Sequence, residues 1–296
     1  LNAFLAIDLP ALLAAVLATI ACGTMGGWLV LRKEAMTADA IAHAVLPGLV
    51  GGYLVSGSRS MGAMLAGAAV AGVASVLLSA AVRARTRLEA GAALGVVFTA
   101  FFALGVVLLE TQGARQIDLD PSCVLFGSLE TIFVVVPEGR GWLAGVPGEV
   151  WLLLATAIGA VLLHALLSRA LAALAFDPLH ARLTLGSPRA VEFALLAATS
   201  AAIVASFAAV GSILVLALVA CPALLAAPHA RSAKGQVALG VALAVPLVAA
   251  AYFLAAHAPA VFGTRTALNA AGMIAVVLAA AVPCSHAAAR VIRRRG

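Results

Sequence analysis

Charge is scarce in this sequence. Asp, Glu, Lys and Arg make up 10% of its 296 residues, where soluble domains carry about 25%. A water-soluble fold of this length needs more polar surface to cover its core, so the composition excludes one. Cysteine is sparse too. Cys22, Cys123, Cys221 and Cys284 form no CxxC pair, which excludes a disulfide framework or zinc finger and leaves small buried hydrophobes. Also missing are GxSxG, HExxH, GxGxxG and the phosphate-binding GxxxxGK(S/T) loop. No enzyme chemistry is expected, and any ATP energy must come from another polypeptide.

What is present is apolar: 64% of the chain, against about 45–50% in soluble domains. A membrane helix needs about 20 mostly apolar residues. Candidate spans fall at 9–31, 37–56, 61–82, 91–110, 150–172, 189–205, 208–228, 237–256 and 267–289, nine in all. The first is too long, and lacks the basic lead, for a cleaved signal peptide. No polar loop divides 189–228, so a turn is expected near Ser206 or Gly211, or one half is re-entrant. Aromatics are few and alanine abundant, which suits helices packed through small residues. The expected fold class is all-α integral membrane, a polytopic bundle of 8–9 transmembrane helices making one domain over 1–296. The stretch 111–149 differs in kind. It carries Asp118, Asp120, Glu130, Glu138 and Glu149 with the breakers Pro121, Pro137 and Pro147, and reads as a structured loop.

The Lys/Arg distribution orients the chain. With nine spans, Arg32, Lys33, Arg83, Arg85, Arg87, Arg169, Arg182, Arg189, Arg231, Lys234, Arg290, Arg293, Arg294 and Arg295 share one side. Only Arg59, Arg115, Arg140 and Arg265 fall on the other. The first side is expected to be cytoplasmic, with the C-terminus inside and the N-terminus outside. The net charge of +6 is then accounted for by retention of positive loops, with no nucleic-acid partner. Asp118, Asp120 and Glu130 fall on the opposite face, where they are candidates for steering cations or docking a basic partner.

Two segments carry candidate chemistry. In Ala38-Asp39-Ala40-Ile41-Ala42-His43-Ala44-Val45-Leu46-Pro47-Gly48, Asp39 and His43 stand four apart and share a helix face. Ionisable groups in an apolar run are costly. A carboxylate with an imidazole suits manganese, iron or zinc, though the same pair could satisfy itself between helices. Pro47-Gly48 is expected to loosen the helix beside this site. In the second segment, Asp177 can cap a short helix that Pro178 begins and Gly186 ends, over 177–187. Exposed on the cytoplasmic side, such a helix suits docking; the plain alternative is a connecting loop.

These residues resemble the permease subunits of bacterial metal-ion ABC importers, the manganese, zinc and iron group. The strongest block is Gly26–Gly48, GGWLVLRKEAMTADAIAHAVLPG. Leu94–Phe98 with Phe101–Gly105, Ile117–Asp120 with Cys123–Gly127, Phe176-Asp177-Pro178, and Val210–Val215 running to Cys221-Pro222-Ala223 follow in order. The resemblance implies an importer-type permease in the bacterial cytoplasmic (inner) membrane. It implies a second permease subunit, identical or not, a cytoplasmic ATP-binding-cassette ATPase dimer and an extracytoplasmic metal-binding protein. It carries the metal pathway onto Asp39 and His43, and ATPase coupling onto Asp177, Pro178, Ala181, Arg182, Leu185 and Gly186. No cofactor is bound permanently; the divalent metal is substrate. The family block usually has Ser or Ala before the histidine, and Ala42 here offers no hydroxyl.

Rival readings are a related permease for cobalamin or siderophores and an ion-gradient-driven cation carrier. The first needs a wide path without intramembrane metal ligands. The second predicts more intramembrane acids than Asp39.

Overall fold

The computed structural model describes residues 4–57, 61–86, 88–110, 129, 132, 145–261 and 268–295. After a π-helical turn at Phe4–Asp8 come α1 (Leu9–Leu31), α2 (Met36–Ser56), α3 (Met61–Thr86) and α4 (Ala90–Leu109). They are followed by α5 (Gly148–Phe176), the short α6 (Pro178–Thr184), α7 (Pro188–Ala226), α8 (Ala233–Val261) and α9 (Ala270–Arg295). Among the described residues there is no strand, and nine helical stretches are long and apolar enough to cross a membrane. They coincide with the nine expected spans to within a few residues at most ends. The candidate outer-face acids Asp118, Asp120 and Glu130 lie outside the described residues.

The core is built on small residues. Ala11, Ala14, Ala15, Ala18 and Ala21 of α1 are buried, and glycines let its neighbours approach the backbone itself. Gly26 lies against the backbone of Val219 on α7, and Gly27 against Val237 on α8. Packing of this kind suits lipid, where no hydrophobic force drives helices together and close contact must do so. As a result α1 is the axis of the bundle: 67% of its span is buried, against 17% for α4 at the periphery. Interior hydroxyls mostly return to their own helix. Thr19 donates to Ala15 O at 2.6 Å, Ser79 to Ser75 O at 2.8 Å and Thr199 to Leu195 O at 2.7 Å, so these hydroxyls are satisfied within the apolar interior.

Gly211 answers where 189–228 turns. It sits at φ 77, ψ 168 inside the 39-residue α7, a conformation open essentially to glycine alone. Straight, such a helix would run about 58 Å, nearly twice a hydrocarbon core of about 30 Å. Instead both its ends lie on one face. Glu192 near its start pairs with Arg32 just past α1, and Leu225 near its end accepts a hydrogen bond from Ser285 toward the end of α9. Gly27 against Val237 sets the end of α1 beside the start of α8 on that same face. This face carries Arg32, Lys33, Arg189, Arg231 and Lys234, and is called the basic face below.

Candidate functional site

The site begins with the turn that delivers α2. Past Leu31 the Lys33 N–H bonds Val30 O at 3.0 Å and the Glu34 N–H bonds Leu29 O at 2.8 Å, with Lys33 at φ 61. This is a Schellman end with a lysine in the left-handed position that glycine usually takes. The chain therefore reverses sharply, and α2 starts at Met36.

Along α2, Thr37, Ala38, Ala40, Ile41, Ala44 and Val45 are buried, while Met36, Asp39, His43 and Leu46 are not. That spacing of three and four residues is one helical stripe, and it stays open. Asp39 Oδ1 stands 3.5 Å from His43 Nε2, with side chains 32% and 41% exposed. The contact is long and loose for an ion pair. Asp39 lies in the first turn of α2, where the positive end of the helix dipole favours a carboxylate. Two rings from α4 fix the imidazole: Phe98 stacks on it at 5.1 Å between centroids and Phe102 meets it edge-on at 5.7 Å. The pair is thus held at its flank while its outer side stays uncovered.

Its depth follows from helix lengths. Gly48 of α2 packs on the backbone of Gly67 and Ala68 of α3. From that contact to the basic face, residues 68–86 of α3 make about 27 Å of helix and residues 36–48 of α2 about 18 Å. α3 overhangs α2 by about one and a half turns, and that overhang carries Arg83 and Arg85, while Asp39 lies one turn into α2.

Pro47 and Gly48 do otherwise than the sequence suggested. α2 continues as helix through both to Ser56. Pro47 is buried, its ring close to Gly105 of α4, and Gly48 is the close-packing point on α3. Where a loosened helix with free backbone groups was expected, neighbouring helices fill the space.

In the second segment Asp177 Oδ1 accepts the His180 N–H at 2.9 Å, and α6 runs Pro178–Thr184. Ala181 is buried, whereas Phe176, Leu179 and Leu183 are exposed at 67%, 69% and 80%. Three large apolar side chains thus stand free at the root and flank of one short helix. Leu185 turns to extended backbone and ends α6 before Gly186, which is not in the left-handed region. The ending is therefore made by Leu185 rather than by a glycine cap. The side chains of Pro178 and Arg182 lie outside what is described.

Sequence reading missed a third group. Arg32, 10% exposed, donates from Nε and Nη2 to Glu34 at 2.9 and 3.2 Å and from Nη2 to Glu192 at 2.6 Å. Burial works against the charged guanidinium, but the hydrogen bonds and charges of Glu34 and Glu192 outweigh it and raise its pKa. Arg32 Nη1 is buried with no hydrogen-bond partner. Glu192 lies 160 positions away, so no local spacing could have announced the contact. Another missed contact ties α1 to α5, where Trp28 Nε1 donates to His164 Nδ1 at 3.2 Å.

Among the described residues no group of three or more His, Cys, Asp or Glu could hold a metal ion within this chain. Asp39 and His43 together supply two ligands, half or less of what a transition metal takes.

Residues 6–282 match a family described as the ABC 3 transport family. The manganese transport system membrane protein MntD of Bacillus subtilis (strain 168) is 37% identical over 211 residues, 70% of this chain and 69% of that protein. The zinc transport system membrane protein TroD of Treponema pallidum (strain Nichols) is 33% identical over 210 residues, 71% of this chain but only 56% of that protein. Among solved structures, PsaBC from Streptococcus pneumoniae in complex with Fab superposes with a TM-score of 0.73 at 22% identity, covering 93% of this chain and 89% of that one.

Proposed function

Because the chain belongs to the ABC 3 transport family, and so is a multi-pass permease of a metal importer, we propose that it moves a divalent transition metal inward at the expense of ATP. The cargo is manganese, zinc or iron. A solute-binding protein delivers the metal on the face opposite the basic one, and the basic face is cytoplasmic, with the C-terminus inside. Hydrolysis takes place on separate ATPase subunits docked at α6, where Phe176, Leu179 and Leu183 offer an apolar surface.

The observation that carries this reading is the open stripe of α2. Asp39 and His43 stand in an apolar span, partly exposed, and no third ligand joins them among the described residues. Facing lipid, a carboxylate would cost about 3 kcal/mol or more. A second permease subunit, identical or closely related, relieves that cost and brings a matching pair, so that the metal sits between subunits. The 3.5 Å spacing suits a site that must also release its cargo. Two oxygen and two nitrogen donors replace part of the ion's water shell without a soft thiolate to trap it.

Uptake of radioactive manganese or zinc by cells expressing the Asp39→Ala, His43→Ala double variant is the direct test. Loss of uptake at normal membrane expression is expected. Uptake equal to the unmodified protein would remove the pair from the transport path.

A further inference from the structure

Resting on the transport reading above, we propose that the Arg32–Glu192 ion pair, with Glu34, is the mechanical link that carries movement of α6 to the helix bearing Asp39 and His43. The connection is short at both ends. α6 ends at Thr184, and α7, which begins at Pro188, carries Glu192 on its second turn. On the other side Arg32 and Glu34 belong to the tight turn that starts α2 at Met36, and Asp39 lies in the first turn of that helix. Glu192 meets Arg32 at 2.6 Å, so a displacement of the start of α7 pulls on the start of α2 through a charge-assisted hydrogen bond rather than through lipid or a long loop.

The surroundings allow such a movement. A cavity of about 630 Å³ is lined by Arg32, Glu34 and Glu192 together with Leu174 and Ala175, which precede α6, and Pro188, which follows it. Both roots of α6 and the α1–α2 turn therefore share one open space beside the packed contact of Leu29 and Leu31 with Val191 and Leu195. The pair also has somewhere to go. Arg32 Nη1 is buried without a partner, so the guanidinium can exchange which nitrogen holds which carboxylate as α7 shifts. Lys33, held at φ 61 between the two paired residues, marks the same turn as backbone kept away from its preferred region. An element with two ways of pairing is what coupling between distant sites requires.

The test uses the full importer, permease with its ATPase subunits, in proteoliposomes. ATP hydrolysis and manganese or zinc uptake are measured together. With Glu192→Gln, hydrolysis is expected to stay within about twofold while metal moved per ATP falls about tenfold, the size of a typical coupling energy. Glu192→Asp, which keeps the charge, should recover most of the ratio. Amide hydrogen exchange adds a readout that lost stability alone would not give. On vanadate trapping, the unmodified complex should change protection in both 185–192 and 29–37; in Glu192→Gln the change should be confined to 185–192. Parallel loss of hydrolysis and uptake, with an unaltered ratio, would overturn the link, as would an exchange response in 29–37 that persists in the variant. Absence of ATP-dependent uptake by the unmodified complex would overturn the transport reading and the link with it.

Discussion

Two polar groups flank the same turn, and they are built in opposite ways. Arg32 with Glu34 and Glu192 is tight: the guanidinium is 10% exposed and its contacts are 2.6 to 3.2 Å, although the two carboxylates are 37% and 45% exposed. Asp39 with His43 is open: one contact at 3.5 Å between side chains 32% and 41% exposed. The first joins helices distant in sequence, while the second joins neighbours on one helix and leaves its outer side unoccupied. A group that holds a fold together gains from short, shared, desolvated hydrogen bonds. One that passes an ion along must leave ligand positions unfilled. The contrast sets a tight tie between helices at the basic face against a loose pair within a span, and distance tells them apart.

The contrast can be broken or sharpened by substitution, beginning with its largest expected effect. His43→Ala should reduce metal uptake about a hundredfold, at the upper end of what losing a contact around a metal costs. It should change thermal stability by less than about 1 kcal/mol, because the exposed pair contributes little to the fold. A large drop in melting temperature would place the pair with the tight group instead. Arg32→Ala should do the reverse in emphasis. Stranding two carboxylates is expected to cost about 2–3 kcal/mol, less than for a fully buried pair because both remain partly solvated; thermal unfolding in detergent would read it.

Third comes the seat of α2. A side chain at Gly48 would meet the backbone of α3, whereas at Gly51 there is nothing within 4 Å. Gly48→Ala should therefore destabilise by about 2 kcal/mol through overpacking, and Gly51→Ala should be neutral or gain up to about 1 kcal/mol from helix propensity. Equal effects at the two positions would mean that α2 is seated otherwise. Smallest is Lys33→Gly, which relieves the left-handed turn and should raise stability by about 1 kcal/mol with the two ion-pair groups left in place.

Much of this architecture was legible in the sequence because lipid allows few alternatives. Apolar runs of about 20 residues gave the nine spans, and Asp177-Pro178 gave the start of α6 from local capping chemistry. Gly211 was one of two candidate turn points, and the conformation of its backbone decides for it over Ser206. At the candidate site, the shared face of Asp39 and His43 followed from helical spacing. Its surroundings did not. Phe98 and Phe102 stood in a recognised block, but their stacking on His43 depends on how α4 lies along α2. Pro47-Gly48 misled, because proline and glycine signal a break only where no neighbour satisfies or fills the gap; here α3 and α4 do. The Arg32–Glu192 contact was beyond reach because nothing local in either segment encodes its partner.

The reversal at Gly211 bears on how the chain gets into the bilayer at all. With no polar loop between the arms of α7, one glycine sets the side on which everything after it is threaded. A bulky replacement there would not merely bend a helix; it would risk assembling the last two spans upside down.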